Sequence, residues 1–211
     1  MKRRRQEEKF SLFSKRNAIG LIIIAIMVLS ALGFMIGERN NTNSDTFNGH
    51  QFVSDGGYWY TNINNQQVKF RFHPSVVDNI ILPDEARNSV KGTLMTYLTY
   101  DSTDKNIQYI EEIRLELEKE LPELLKIYVS TGVTNATGAY SSFNTISCDN
   151  ATASIPVIYF RTDINESFEY SGNCLIVKAS TGNDMFIMKD RLLLGLTGIV
   201  NNTAVNTTAG K

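Results

Sequence analysis

The chain has 211 residues, with 21 Lys/Arg against 22 Asp/Glu and a hydrophobic share of 42%. The charge is unevenly spread: residues 1–17 carry seven Lys/Arg against Glu7 and Glu8, a net of +5, which leaves about −6 for the part beyond the apolar run that follows. That sign argues against nucleic acid as a partner of the larger part, whose roughly 170 residues suit one domain and leave little room for a second.

Residues 18–36, from Ala18 through Ile36, are nineteen uncharged residues. As a helix they would extend about 28 Å, close to the roughly 30 Å of bilayer hydrocarbon. The basic flank predicts an uncleaved signal-anchor at the cell membrane, single-pass, with the N-terminus cytoplasmic and residues 38–211 extracellular. The lipid bilayer is therefore the first partner, through residues 18–36. Two other accounts compete. A cleaved secretory signal would exit near Ser30-Ala31-Leu32-Gly33. A pilin-type leader would be cut after Gly20 and leave a filament-forming helix, although no acidic residue stands at the fifth position after that cut. The predicted organisation is a basic cytoplasmic tail (1–17), a transmembrane helix (18–36), a polar stalk (37–46), an extracytoplasmic α+β domain (47–200) and a disordered tail (201–211).

From Phe47 to Pro74 the residues alternate as in an antiparallel β meander. Asp55-Gly56-Gly57 and Asn64-Asn65 are its turns, and Val68, Phe70 and Phe72 face away from Lys69, Arg71 and His73. Thr93 to Tyr100 is β-branched and aromatic and predicts a buried strand. Asp101-Ser102-Thr103-Asp104 then caps a helix with apolar positions at Ile107, Ile110, Ile113, Leu117 and Leu121, ending at Pro122. Glu111, Glu112, Arg114, Glu116, Glu118, Lys119 and Glu120 read as its wet, solubilising face. A further strand is expected at Leu125–Val133, making a β-α-β unit. A polar stretch without period covers Thr134–Ser154. Ile155–Phe160 and Cys174–Ala179 are expected to pair as a β hairpin through a turn at Asp163–Ser167. Asn183 is the expected N-cap of a last helix reaching Val200, whose broad stripe of Met185, Met188, Leu192, Leu196 and Ile199 predicts burial between layers.

Cys148 and Cys174 are the only cysteines. Outside the cell they are expected to form a disulfide whose loop of about 26 residues is worth roughly 3–4 kcal/mol in the chain-entropy model. Six Asn-x-Ser/Thr sequons, at Asn40, Asn135, Asn150, Asn165, Asn201 and Asn206, are N-glycosylation acceptors if the host has the machinery. Other constellations are thin. Cys148, Cys174, His50 and His73 are zinc-ligand types without the short spacings zinc favours. A Ser/His/Asp triad would need His50 or His73, and His73 reads as a surface residue. No phosphate-binding loop or cofactor motif occurs, since Gly56-Gly57 is a turn and Gly195 and Gly198 lie inside the last expected helix. Alternation puts Trp59 on the opposite face to Tyr58 and Tyr60, so one set joins the core and the other is available to stack on a ligand.

The order strand, helix, strand, Pro-led strand, strand, helix resembles the thioredoxin-like fold over about residues 93–200. That resemblance implies a cis proline at Pro156, ahead of the strand Ile155–Phe160. Where the family carries Cys-x-x-Cys, this chain has Asp101-Ser102-Thr103-Asp104, so family-type thiol exchange lacks its nucleophile. The chain also resembles small single-span archaeal membrane proteins through His73-Pro74, Cys148 with Thr152 and Pro156, Asn173-Cys174 and Asp190-Arg191-Leu192. Together these features point to a membrane-anchored, non-catalytic module that binds an envelope or membrane protein partner, with no nucleic acid and no cofactor. The alternatives are an extracytoplasmic thiol-disulfide accessory and a pilin-like filament subunit.

Overall fold

The computed structural model describes Gly20, residues 22–30 and residues 43–202. Residues 22–30 are helical, and Ile22, Ile23, Ile24, Ile26, Met27, Val28 and Leu29 are all more than half exposed. No helix among the described residues is long and apolar enough to cross a membrane. The two ends of the expected 18–36 span, the basic tail, most of the stalk, and residues 203–211 lie outside the described residues.

The second unit of the chain starts at Asn43 and is an α+β fold with two sheets. Strands β1 (Ser44–Phe47), β2 (His50–Asp55), β3 (Tyr58–Ile63) and β4 (Gln66–Phe70) form an antiparallel meander in chain order. Its first strand takes in Ser44, Asp45 and Thr46, which were expected to be stalk, because strand pairing is made by backbone and polar side chains do not prevent it. Each hairpin turns through two residues with positive φ: Asn48-Gly49, Gly56-Gly57 and Asn64-Asn65. This is the type I′ geometry that matches strand twist. Phe52, Ile63, Val68 and Phe70 are buried from this sheet.

Two short helices, α1 (Pro74–Val77) and α2 (Asp84–Lys91), lead to β5 (Met95–Tyr100) and the long helix α3 (Ile107–Leu125). The helix runs three residues past Pro122, which sits in the last turn. There the missing N–H breaks one bond, while the Pro122 carbonyl still accepts from Lys126 N–H at 3.2 Å. Then come β6 (Tyr128–Thr131), β7 (Val157–Thr162), β8 (Ser167–Ser171), β9 (Cys174–Ala179) and α4 (Gly182–Thr197). The second sheet has the order β6-β5-β7-β9-β8. It is mixed: β5, β6, β7 and β9 are parallel and β8 is antiparallel at one edge.

The strands around Ile155–Phe160 and Cys174–Ala179 are thus neighbours, but parallel ones, with Val157 opposite Cys174. The expected hairpin between them is corrected to one between β8 and β9, turning at Gly172-Asn173, both with positive φ. The reason is burial: β7 and β9 are apolar on both faces and take central places, and the chain after Asp163 goes out to the edge before returning.

No cis peptide bond occurs among the described residues, so Ile155–Pro156 is trans and the cis-proline expectation for Pro156 is corrected. The Pro156 carbonyl accepts from Tyr97 N–H and from Thr96 Oγ1, each at 2.9 Å, and the turn just before it closes without a cis bond, Thr152 N–H donating to the Ile155 carbonyl and Ile155 N–H to Thr152 Oγ1, each at 3.0 Å.

Helix α4 is capped by Thr181, two residues before the expected Asn183. The Thr181 and Asp184 side chains bond each other's backbone N–H. It ends at Gly198, with φ 83°. From Met185 to Leu196 all but Ile187 are buried, as its wide apolar stripe predicts.

Candidate functional site

Three consecutive charged residues, Lys189, Asp190 and Arg191, lie in the buried stretch of α4, each no more than 1% exposed. Consecutive residues on a helix are about 100° apart, so a helix packed on most sides must accommodate all three internally. Lys189 Nζ reaches back to α3, 2.9 Å from Glu116 Oε2 and 3.2 Å from Glu120 Oε2, and lies 3.4 Å from Asp190 Oδ1. Asp190 Oδ2 accepts the backbone N–H of Arg71 at 2.7 Å and of Phe72 at 3.0 Å, which ties α4 to the end of β4. Arg71 pairs with Glu112 and stands over the Phe186 ring at 3.5 Å, while Lys69 lies 3.7 Å from Glu116.

The cluster is electrostatically coupled. Burial works against the Lys189 charge, but Asp190, Glu120 and Glu116 hold its pKa above the usual lysine range. Burial dominates at Glu120 and pushes its carboxyl up to about 7 against the pull of Lys189. Burial also acts to raise Glu116, where Lys189, Lys69 and Arg71 together outweigh it and hold the group below the usual range. Asp190 is raised, burial again being the main cause. The carboxylates converge on an ammonium, and among the described residues no group of three His, Cys, Asp or Glu is placed to hold a metal ion.

Above this cluster a groove of about 410 Å³ runs between β4 and α3. One wall is Gln66, Gln67, Val68 and Lys69, and the other is the α3 face bearing Glu112, Leu115, Glu116, Lys119, Glu120 and Glu123. Of the seven charged residues expected to form a wet face on α3, only Glu112 and Lys119 are exposed. Glu116 and Glu120 flank the apolar stripe and meet Lys189. On the other flank Arg114 bridges Glu111 at 2.7 Å and Glu118 at 2.8 Å.

Arg191 faces away from this groove. Its Nε donates to the Ile80 carbonyl at 2.6 Å, Nη2 to Asn202 Oδ1 at 3.0 Å and Nη1 to the Val200 carbonyl at 3.4 Å. Burial pulls its pKa down to about 10.

The residues singled out from sequence fall elsewhere. Cys148 and Cys174 are joined in a disulfide with Cα atoms 5.3 Å apart, linking a surface turn to the start of β9. Asn135, Asn150, Asn165 and Asn201 are exposed. Asn150 Oδ1 accepts Ser147 N–H at 2.8 Å, and Asn201 Oδ1 accepts from Arg87 at 2.9 Å. Asn40 and Asn206 lie outside the described residues. His50 is half-buried on β2. His73 is not the surface residue expected. Its side chain is only 11% exposed, its ring packs 4.5 Å from that of Trp59 and near those of Phe47 and Phe52, and its Nδ1 caps α1 through Ser75. Trp59 thus joins the core side, while Tyr58 lies under Lys69 at 4.6 Å.

Sequence reasoning missed Lys189, Asp190, Glu116 and Glu120. The available signal was the Lys-Asp-Arg triplet inside a helix already expected to be buried. Comparison with known protein families, with curated proteins and with solved structures finds no match to this chain.

Proposed function

We propose that this chain is a single-pass membrane protein that presents a non-catalytic binding module on the outer side, using the groove between β4 and α3 to hold a partner in the membrane or envelope. The observation that carries the reading is that groove, where an edge strand and a charged helix face each other across open space above a cluster of buried, ion-paired charges. Lys189 is surrounded by carboxylates and has no role left as a free base, so the site is built to hold something rather than to transform it. The all-round apolar surface of residues 22–29 supports the anchor, since such a helix needs an apolar surrounding. Confinement near the bilayer raises the effective concentration toward membrane-held partners, so modest affinity suffices.

The test is site-specific photo-cross-linking in native membranes, with the reactive group at Gln67 in the groove or, as a control, at Asn150 on a remote turn. The expected result is a captured neighbour from Gln67 that Asn150 does not give. Identical patterns from both positions overturn the reading.

The thiol-disulfide alternative is favoured by one observation: Cys148 is half-buried on a surface turn, whereas Cys174 is 2% exposed. A reduction potential near about −200 mV would support it, and one below about −300 mV would assign the bond a structural role.

A further inference from the structure

The backbone of β4 has a definite polarity. Asn64-Asn65 is a two-residue turn, so Ile63 and Gln66 form the first hydrogen-bonded pair, and Val68 and Phe70 repeat it with Thr61 and Trp59. Gln67 and Lys69 then direct their N–H and C=O groups away from β3. Two residues on, just past the end of β4, Asp190 Oδ2 accepts the Arg71 N–H at 2.7 Å and the Phe72 N–H at 3.0 Å. Among the described residues no hydrogen bond reaches the backbone of Gln67 or Lys69 from that side. The open stretch is therefore bounded by Asp190 at one end and by the Asn64-Asn65 turn at the other, and the groove lies along it.

We propose, resting on the binding-module reading above, that this groove takes an extended peptide segment as a fifth strand of the meander, pairing with the Gln67 and Lys69 backbone, and that the segment alternates basic with apolar residues. The dimensions agree. From Glu112 to Glu123 the helical wall is roughly 17 Å long, the length of about five residues of strand. The alternation follows from β4 itself. Lys69 and Arg71 turn toward the α3 glutamates while Val68 and Phe70 turn into the core, and a strand laid beside β4 repeats that division. The basic preference follows from charge. Of the glutamates lining the groove, Glu112 is paired with Arg71, and Glu116 and Glu120 with Lys189, whereas Glu123 has no ion-pair partner among the described residues and is the carboxylate left open to an incoming cation. Residues 43–202 as a whole hold 19 Asp/Glu against 12 Lys/Arg. Main-chain pairing supplies affinity and the alternating pockets supply selection.

The experiment uses the full-length chain in lipid nanodiscs and three fluorescein-labelled heptapeptides: one alternating lysine and valine, one alternating glutamate and valine, and the lysine peptide with alternate backbone nitrogens methylated. Anisotropy titration is expected to give saturable binding of the first, with an affinity at least about tenfold higher than that of the methylated form, which keeps every charge and side chain but loses its main-chain donors. Glu123→Lys is expected to weaken the lysine peptide by about three- to tenfold and to favour the glutamate peptide. Equal binding of methylated and unmethylated peptides overturns strand addition, as does absence of saturation up to about 1 mM. Preference for the glutamate peptide overturns the basic class. Concentration-dependent self-association that the lysine peptide does not displace overturns it in favour of a second copy of this chain. None of these failures touches the Gln67 cross-linking result, so the general binding reading is judged separately.

Discussion

The two sides of α4 treat buried charge in opposite ways. Lys189 and Asp190 meet ionisable groups and together with Glu116 and Glu120 make a network under the groove, whereas Arg191, the next residue, meets carbonyl and amide oxygens only. The first arrangement couples its members, so each depends on the charge of the others. The second pins chain: Arg191 holds the segment before α2 through Ile80 and the C-terminal stretch through Val200 and Asn202, and Asn202 in turn exchanges hydrogen bonds with Leu82. One side of the helix is thus a responsive floor to a surface, and the other is a fixed joint.

The largest effect expected from this contrast is on the network side. Lys189→Ala removes the common cation and leaves Glu116, Glu120 and Asp190 facing one another in a buried site. This is expected to cost about 3–5 kcal/mol, read as the shift in denaturant midpoint. Arg191→Ala is expected to cost somewhat less, about 2–4 kcal/mol, because neutral acceptors lose a donor but no charge is left uncompensated. If the order were reversed, the description of Arg191 as a joint and of Lys189 as the hub of the network would fail.

Gly195 sharpens the same contrast on a smaller scale. A Cβ there would lie 2.7 Å from Arg191 Nη1 and 2.6 Å from Leu82 Cδ2, both ends of flexible side chains, so Gly195→Ala forces Arg191 to shift. The overpacking cost, set against the gain in helix propensity of about 1 kcal/mol, leaves a net loss of about 1–2 kcal/mol. In an Arg191→Ala background part of that loss should vanish. A double-mutant cycle that is additive within about 0.3–0.5 kcal/mol would show that the glycine does not serve the arginine.

How much of this was legible depended on whether the cause was local. Gly56-Gly57 and Asn64-Asn65 announce their hairpins because a two-residue turn with positive φ is a property of those residues, and Asn48-Gly49 and Gly172-Asn173 are equally local signals. The disulfide between Cys148 and Cys174 followed from there being two cysteines and a plausible distance. The parallel arrangement of β7 and β9 was not legible, since two apolar strands separated by a polar turn read the same whether they pair as a hairpin or are divided by an edge strand. The site suffered most. Glu116 and Glu120 stand next to Leu117 and Leu121 in sequence and look like the border of an apolar stripe. Only the placement of Lys189, more than 60 residues later, takes them out of water.

The smallest expected effect separates the two sides by pH. Glu120 titrates at about 7 in the fold against an ordinary value of 4.5, burial being the main cause. The folded state therefore binds more protons than the unfolded chain between those values. With that sign, stability is fully present below about pH 4.5 and is lost as pH rises through 7. Asp190, raised by the same burial, adds a loss of the same sign that starts lower. Glu116, held down by Lys189, Lys69 and Arg71 against its own burial, acts oppositely as pH falls below its ordinary range. Glu120→Gln keeps the shape and removes the titration, so it should flatten the slope of unfolding free energy between pH 5 and 7 by about 1–2 kcal/mol. Arg191, with its pKa near 10, is silent across that interval. Arg191→Lys should therefore lower stability about equally at pH 5 and pH 7 and leave the slope intact. An unchanged slope in Glu120→Gln, or a flattened one in Arg191→Lys, would show that the pH response arises outside the floor of the groove and would remove the electrostatic distinction between the two faces of α4.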